Sequence, residues 1–218
     1  VFMLSGPSLI YEECMSLSEE QIYAKIRSIK RYMARIKSEI ERCEDKSVVI
    51  DPSDSVILSV EREYLAAAKK ALEDKGYEYK KTRKDIASEI FVANIPSIEK
   101  ITFSLGGYFG GYDICSIIFD GDKVVLSKSH SYSPEEASNI QLEMTKDVFL
   151  SLLNDLHIEE WKKKYDDPFT CDGTQWKLSF LYSHGQPSVE FWGSNKYPYN
   201  FDNLTSLFKL KTSYCWFR

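Results

Sequence analysis

The residue types that most often perform catalysis or bind metals are few and scattered in this sequence. Its histidines have neither H-x-x-H nor H-E-x-x-H spacing, so they lack the arrangement of common zinc motifs. They are His130, His157 and His184. The adjacent carboxylates Glu159-Glu160 would point apart in a helix or strand, so they do not indicate acid–base catalysis. The sequence therefore predicts no catalytic residue, no metal ligand and no cofactor.

A glycine-rich segment at residues 106–111 contains two aromatic residues that could contact a partner. A phosphate-binding loop would follow a strand and lead into a helix, with a Lys-Ser or Lys-Thr pair at the junction. Here the segment leads into a second strand and has no such pair. We therefore predict a hairpin loop that displays Tyr108 and Phe109 as a contact surface.

The last predicted hairpin can be read in register. Alternating apolar residues predict that residues 176–182 pair with residues 187–193 around a turn at residues 183–186. The pairs are Phe180 with Val189, Leu178 with Phe191, Trp176 with Gly193, and Ser179 with Glu190. One face of this hairpin is then wholly apolar, and the other is half exposed.

The open end of this hairpin is a second candidate binding surface. The predicted pairing brings together polar and aromatic residues that could bind a ligand, namely Asp172, Trp176, Ser194, Asn195 and Tyr197. The alternative is structural, because Asp172-Gly173 and Ser194-Asn195 are turn formers. In that interpretation Gly193 leaves room for the Trp176 ring.

Basic residues recur along the first long predicted helix. Arg27, Arg31 and Arg35 have i, i+4, i+8 spacing, and Lys30 is close to them. We call these four residues the basic strip. Such a strip can bind the phosphates of a nucleic acid or an acidic protein. The alternative is a solvated helix face.

Charge and cysteine content limit the classes of protein to consider. The net charge of −5 over 218 residues excludes a globally basic nucleic-acid binder but permits local basic patches. Five cysteines without C-x-x-C spacing fit neither a disulfide scaffold nor a zinc site, so we expect a cytoplasmic protein. The start of the chain lacks the basic segment of a signal peptide, and no apolar run is long enough to span a membrane.

Two long amphipathic helices are predicted in the N-terminal region. After Ser18, which has capping-box spacing with Gln21, apolar residues follow at alternating steps of four and three. They are Ile22, Ile26, Ile29, Met33, Ile36, Ile40 and Cys43. Such a stripe needs an apolar partner, as in a coiled coil. A second helix from Val56 to Lys75, ended by Gly76, can supply it, and we predict a helical hairpin; a homodimer is the alternative.

The remaining elements indicate the α+β class. A third short helix from Thr82 to Phe91 completes a helical region at 1–95. An α+β domain follows at 96–218, where alternating residues predict strands. The predicted strands are 101–105, 112–119 and 123–127, with a further strand at 140–144, and Thr145 is predicted to cap a helix. We predict an N-terminal hairpin of long helices, followed by a mostly antiparallel sheet with one or two packing helices.

From about Ile101 onward the chain resembles an uncharacterised bacterial domain family. The resemblance rests on Trp161 with Tyr165, on Asp172-Gly173-Thr174-Gln175-Trp176, and on residues 193–201, Gly-Ser-Asn-Lys-Tyr-Pro-Tyr-Asn-Phe. It implies a small α+β module in the C-terminal half. It implies no activity, cofactor or catalytic residue.

These observations lead to three functional hypotheses. The first is a non-enzymatic interaction or binding protein, monomeric or homodimeric, whose aromatic loops contact another protein. The second is a small-molecule or nucleotide binder, or an enzyme, that uses Asp172, Ser194 and Asn195. The third is a regulator, such as a phage-defence factor, that contacts nucleic acid or protein through the basic strip.

Overall fold

A computed structural model of the chain describes residues 6–42, 53–107, 109–167, 173–183 and 185–210. The chain divides into two compact units, Val1–Thr82 and Arg83–Arg218. The sequence groups the third helix with the N-terminal helical region. In the structure this helix belongs to the second unit, because its Phe91 packs edge-on against Phe180 of the sheet with ring centroids 5.2 Å apart.

The first unit contains three α-helices within its described residues: α1 (Gly6–Ser16), α2 (Glu19–Arg42) and α3 (Asp54–Asp74). Helix α3 contacts both α1 and α2, so the predicted packing of the two long helices is confirmed. The stripe on α2 is buried from Ile22 to Ile36, whereas Ile40 is half-buried. Cys43, the last residue of the predicted stripe, lies outside the described residues.

Helix α1 is an element that the sequence did not predict. It is short, and a proline stands at its second position, which leaves little periodic signal. Its contacts with α3 explain its stability: Tyr11 Oη donates a hydrogen bond to Asp74 Oδ2 at 2.9 Å. Lys75 Nζ donates to the carbonyl oxygens of Met15, at 2.9 Å, and of Leu17, and so caps the C-terminal end of α1.

The ends of the long helices follow the predicted capping chemistry. Ser18 and Gln21 form a reciprocal capping box, in which Ser18 N donates to Gln21 Oε1 at 2.8 Å and Gln21 N donates to Ser18 Oγ at 3.3 Å. Gly76 ends α3 with a φ of 84°. Gly76 N bonds to Glu73 O and Tyr77 N bonds to Leu72 O, the pairing of a Schellman motif.

The second unit is built on a seven-stranded sheet with the order β4-β3-β2-β1-β6-β7-β5. Its strands are β1 (Ile98–Gly107), β2 (Gly111–Asp120), β3 (Lys123–His130), β4 (Ser133–Thr145), β5 (Lys164–Asp166), β6 (Gln175–Tyr182) and β7 (Val189–Ser194). Neighbouring strands are antiparallel except β5 and β7, which are parallel. The fold is therefore α+β with a mostly antiparallel sheet, as predicted.

The predicted register of the last hairpin is confirmed. Strands β6 and β7 pair Trp176 with Gly193, Leu178 with Phe191, Ser179 with Glu190, and Phe180 with Val189. The Asp120-Gly121 turn joins β2 to β3, with Asp120 paired to Lys123 and Gly121 at a φ of 59°. In both hairpins the period of two and the turn residues fix the register locally.

Helices cover the apolar face of the sheet. They are α4 (Arg83–Asn94), α5 (Lys146–Asp155) and α6 (Phe201–Leu207), with short 3₁₀ segments at Ile95–Ser97 and Ile158–Glu160. Thr145 caps α5 as predicted, its side chain accepting a hydrogen bond from Val148 N. One buried cluster joins these helices to inward-facing strand residues such as Phe103 and Phe180. No helix within the described residues has both the length and the apolar character that crossing a membrane requires.

Candidate functional site at one end of the sheet

The sheet topology brings the two predicted binding surfaces to the same end of the second unit. At this end Gly106 of β1 lies between Tyr112 of β2 and Gln175 of β6. Gln175 pairs with Ser194 of β7, which in turn pairs with Asp166 of β5. The β1–β2 turn and the open end of the last hairpin are therefore neighbours, although some 60 residues separate them along the chain.

Two aromatic side chains project at this end. Among the described residues, Phe109 is 80% exposed and Tyr132 is 64% exposed, more than any other large hydrophobic side chain. Phe109 lies in the β1–β2 turn and Tyr132 in the turn between β3 and β4. Tyr108, which the sequence paired with Phe109, lies outside the described residues.

Hydrogen bonds hold the two turns together. Tyr112 N donates to Ser131 Oγ and Ser131 N donates to Tyr112 O, both at 2.8 Å. The His130 ring bridges the turns, because Tyr132 N donates to its Nδ1 at 3.3 Å while its Nε2 lies 3.0 Å from Gly110 O. With Nδ1 as the acceptor, Nε2–H is the donor to Gly110 O in this bridge.

Asn195 has a clear structural role at the open end of the hairpin. Its φ is 55°, a left-handed conformation that asparagine tolerates. Its N donates to Thr174 O at 2.9 Å, and its side chain fills the space beside Gly173. A Cβ atom at Gly173 would lie 1.8 Å from Asn195 Oδ1, so this approach requires glycine. The predicted site residue Asp172 lies outside the described residues.

The two predicted aromatic site residues of the open end are buried or half-buried. Trp176 is only 2% exposed, and its Nε1 donates to Lys196 O at 2.8 Å. The Tyr197 ring packs 4.8 Å from that of Phe201 and is half-buried. Ser194 is half-buried, and its carbonyl accepts a hydrogen bond from Asp167 N. These residues therefore support the end of the sheet, and the exposed contacts come from Phe109 and Tyr132.

Tyr132 and His130 are parts of this site that the sequence did not single out. Residues 131–132 form a short turn between two polar strand ends, which resembles an ordinary hairpin connection. The signal that could have identified them is the pairing of β2 with β3, which places His130 opposite Asp113 and hence beside the glycine-rich turn.

The basic strip of the first unit is partly occupied by internal contacts. Lys30 Nζ donates to Tyr79 Oη at 2.7 Å, and Arg35 Nε lies 3.6 Å from Glu39 Oε1 in an i, i+4 ion pair. Arg27 and Arg31 are exposed. Because the Glu39 carboxylate offsets part of the charge of Arg35, the strip presents a weaker cationic surface than its sequence predicts.

Among the residues that the structure describes, one group of side chains has donor atoms close enough to surround a cation. One ligand atom from each of His157, Glu159 and Glu160 lies within 4.8 Å of the others. Internal contacts account for this proximity, since His157 Nδ1 lies 3.1 Å from Glu159 Oε1 and Tyr199 Oη donates to Glu160 Oε2 at 2.8 Å. The arrangement therefore adds no metal ligand to the candidate site.

Cys115 is a buried thiol on strand β2. It is 1% exposed, and burial raises the pKa of its thiol to about 11. A thiol in this environment remains protonated near neutral pH and is a poor nucleophile. Cys115 therefore does not contribute to the candidate site.

Comparisons of the chain with protein-family models, with curated proteins and with solved structures found no match. The resemblance of the C-terminal half to a bacterial domain family therefore stays a prediction.

Proposed function

We propose that the chain is a non-enzymatic binding protein that contacts another protein through one end of its sheet. We define this sheet-end surface by Phe109, His130 and Tyr132, with Ser194 and Asn195 beside them. The observation that carries the proposal is that the two most exposed large hydrophobic side chains of the described residues, Phe109 and Tyr132, lie in turns at the same end of the sheet.

Physical chemistry supports a contact role for these side chains. Exposed aromatic side chains offer a large apolar area at a small cost in side-chain entropy, and they dominate many protein interfaces. The hydrogen bonds of Ser131 and His130 hold the turns before any partner arrives. Preorganisation of this kind lowers the entropic cost of binding. A partner surface with an apolar pocket and a polar rim would complement it.

The proposed setting follows from the thiols and from the basic strip. Cys14 and Cys115, the cysteines within the described residues, are free and buried, which supports a cytoplasmic location. We propose a monomer or homodimer that acts through the sheet-end surface. Nucleic-acid binding through the basic strip is the weaker hypothesis, because Glu39 offsets part of the charge of Arg35 and the chain has a net charge of −5.

The test is a comparison of three forms of the full chain. The double variant Phe109→Ala/Tyr132→Ala removes both exposed rings. The control variant Leu181→Ala removes an exposed side chain, 48% accessible, from the opposite end of β6. Leu181 is six residues from Gln175, or roughly 20 Å at the rise of a strand. Each form is used as bait in its native cells, and captured proteins are quantified by mass spectrometry.

A genuine partner is captured by the wild type and by Leu181→Ala but lost with the double variant. With purified partner, the double variant should weaken the affinity by roughly tenfold or more, since each buried aromatic anchor contributes on the order of 1–2 kcal/mol. A partner captured equally by all three forms would show that this surface is not the contact site.

A further inference from the structure

A separate pocket in the second unit has the composition of a small-molecule site. Its volume is about 320 Å³, at the lower end of the range for ligand pockets. It is lined by residues from α4, from the segment around the second 3₁₀ turn, and from β7. Its apolar lining includes Phe91, Trp161 and Phe191, and its charged lining is Lys84, Glu159, Lys162 and Lys163.

The apolar wall is held rigidly by aromatic packing. The Phe191 ring meets Phe91 and Trp161 edge to face, with centroids 6.0 and 5.9 Å apart. Trp161 Nε1 donates to Asn200 Oδ1 at 2.8 Å, so the polar atom of this indole is already satisfied. Ser88 Oγ donates to Glu159 O at 3.0 Å and fixes α4 to the opposite side of the pocket. A flat apolar group would therefore meet a preformed surface.

The charged lining favours an anion. Three lysines line the pocket against one carboxylate, so its walls carry two more positive than negative charges. Lys163 Nζ lies 4.0 Å from the centroid of the Phe191 ring. Lys163 is exposed over the residue as a whole. Burial nevertheless removes water from its ammonium group, and this desolvation lowers the pKa of that group. A partly desolvated ammonium group gains more binding free energy from an anionic ligand than a fully hydrated ammonium group does.

Glu159 offers no contact to a ligand through its buried oxygen. Its Oε1 lies 3.1 Å from His157 Nδ1, and its Oε2 is buried, so a molecule in the pocket cannot reach that atom. The charged groups that a ligand can contact are therefore chiefly the lysines.

We propose that this pocket binds a small aromatic carboxylate. The ring lies against Phe91 and Trp161, and the carboxylate pairs with Lys84 and Lys163. The proposal is independent of the sheet-end surface, because none of these residues belongs to it.

The test uses two probes with the full chain. Para-hydroxybenzoate and para-hydroxybenzamide share the ring and the hydroxyl, but only the first is an anion. Binding is measured by titration calorimetry and by the shift of the Trp161 indole N–H in NMR spectra. We expect para-hydroxybenzoate to bind more tightly than para-hydroxybenzamide by roughly fivefold, the ratio that an exposed ion pair gives.

Neighbouring lysines provide a matched control. Lys164 carries the same side chain one position later, but its ammonium lies over Trp192, 4.7 Å from the ring centroid, and 3.0 Å from Asp166 Oδ2. Lys163→Ala should weaken para-hydroxybenzoate binding about fivefold. Lys164→Ala should leave it unchanged.

Two further variants separate this site from the sheet-end surface. Lys84→Ala should weaken the same probe by a similar factor, whereas Phe109→Ala/Tyr132→Ala should retain full affinity. The proposal is overturned if neither probe shows saturable binding through the millimolar range. Equal binding of para-hydroxybenzoate and para-hydroxybenzamide, or equal loss with Lys163→Ala and Lys164→Ala, overturns it as well.

Discussion

Gly193 of β7 faces the indole of Trp176 on β6 at a distance that leaves no room for a side chain. A Cβ atom at Gly193 would lie 2.4 Å from Trp176 Nε1, 2.6 Å from its Cε2 and 2.7 Å from Lys196 O. Trp176 cannot move away easily, because its ring packs against Trp161, Tyr165 and Phe201. Gly193→Ala should therefore destabilise the second unit.

The magnitude follows from three contributions. Forcing a methyl group into a packed core costs about 1–3 kcal/mol. Displacing the indole also weakens the hydrogen bond from Trp176 Nε1 to Lys196 O, which contributes about 0.5–1.5 kcal/mol. Alanine lowers the entropy of the unfolded chain relative to glycine and offsets about 0.4–1 kcal/mol. We expect Gly193→Ala to lower the free energy of unfolding by about 2 kcal/mol.

Urea denaturation followed by tryptophan fluorescence measures this effect selectively. The four tryptophans, at positions 161, 176, 192 and 216, all belong to the second unit, so the signal reports that unit alone. Gly110→Ala is the matched control, because a Cβ atom there meets nothing within 4 Å. If steric overlap with the indole is the cause, the double variant Gly193→Ala/Trp176→Phe should lose less free energy of unfolding than the sum of the losses of the two single variants.

Two results would refute this reasoning. One is a loss for Gly193→Ala that is no greater than that for Gly110→Ala. The other is strict additivity in the cycle with Trp176→Phe, because a smaller ring must relieve a genuine clash. The first outcome would mean that β7 shifts to accept a side chain at Gly193 without cost. The second would mean that the cost arises from a neighbour other than the indole, such as Lys196 O.

Two further predictions concern stability. Gly76→Ala places a Cβ atom at a φ of 84°, so the free energy of unfolding of the first unit, measured by far-ultraviolet circular dichroism, should fall by about 1 kcal/mol. Gly76→Asn should lower this free energy less, because asparagine tolerates a positive φ better than alanine does. Equal losses for the two variants would contradict a cause in the backbone conformation of residue 76. Burial raises the pKa of Cys115 from 9.0 to about 11, so the unfolded chain releases this proton first. The free energy of unfolding should then fall as pH rises from about 9 towards 11, and Cys115→Ala should remove that part of the slope; an unchanged slope would refute the assignment.

Local patterns explain which parts of the fold were predictable. The register of β6 and β7 follows from a period of two and a short turn, and both signals lie within 20 residues of chain. The capping box of Ser18 with Gln21 and the stop at Gly76 likewise depend on neighbours in sequence. In each case the physical determinant lies close to the residue that it positions.

Non-local contacts explain what the sequence did not reveal. The pocket takes Lys84 from a helix, Glu159 and Lys163 from a 3₁₀ turn and its continuation, and Phe191 from a strand. No spacing rule links these positions, because only the tertiary fold brings them together. Helix α1 was missed for a similar reason: its stability comes from α3, through contacts such as that of Tyr11 with Asp74.

The motifs that carry the family resemblance form one structural unit. In the motif at residues 172–176, Gly173 and Thr174 contact Asn195 of the motif at residues 193–201. Trp176 contacts Gly193 in the same pairing of strands. The glycines leave room for neighbouring side chains, and Asn195 adopts a left-handed conformation. These residue types are therefore explained by packing, which is the structural alternative to a ligand site that the sequence left open.

A shared aromatic cluster underlies both proposed sites and determines which variants can test them. Trp161 lines the pocket and meets the Trp176 ring at 6.1 Å, while Trp176 bonds to Lys196 O at the end of the sheet. A change in either indole would disturb both sites and could not distinguish them. Phe109 and Lys163 lie at the outer edges of the two sites, so only variants at such positions can assign a binding event to one site or the other.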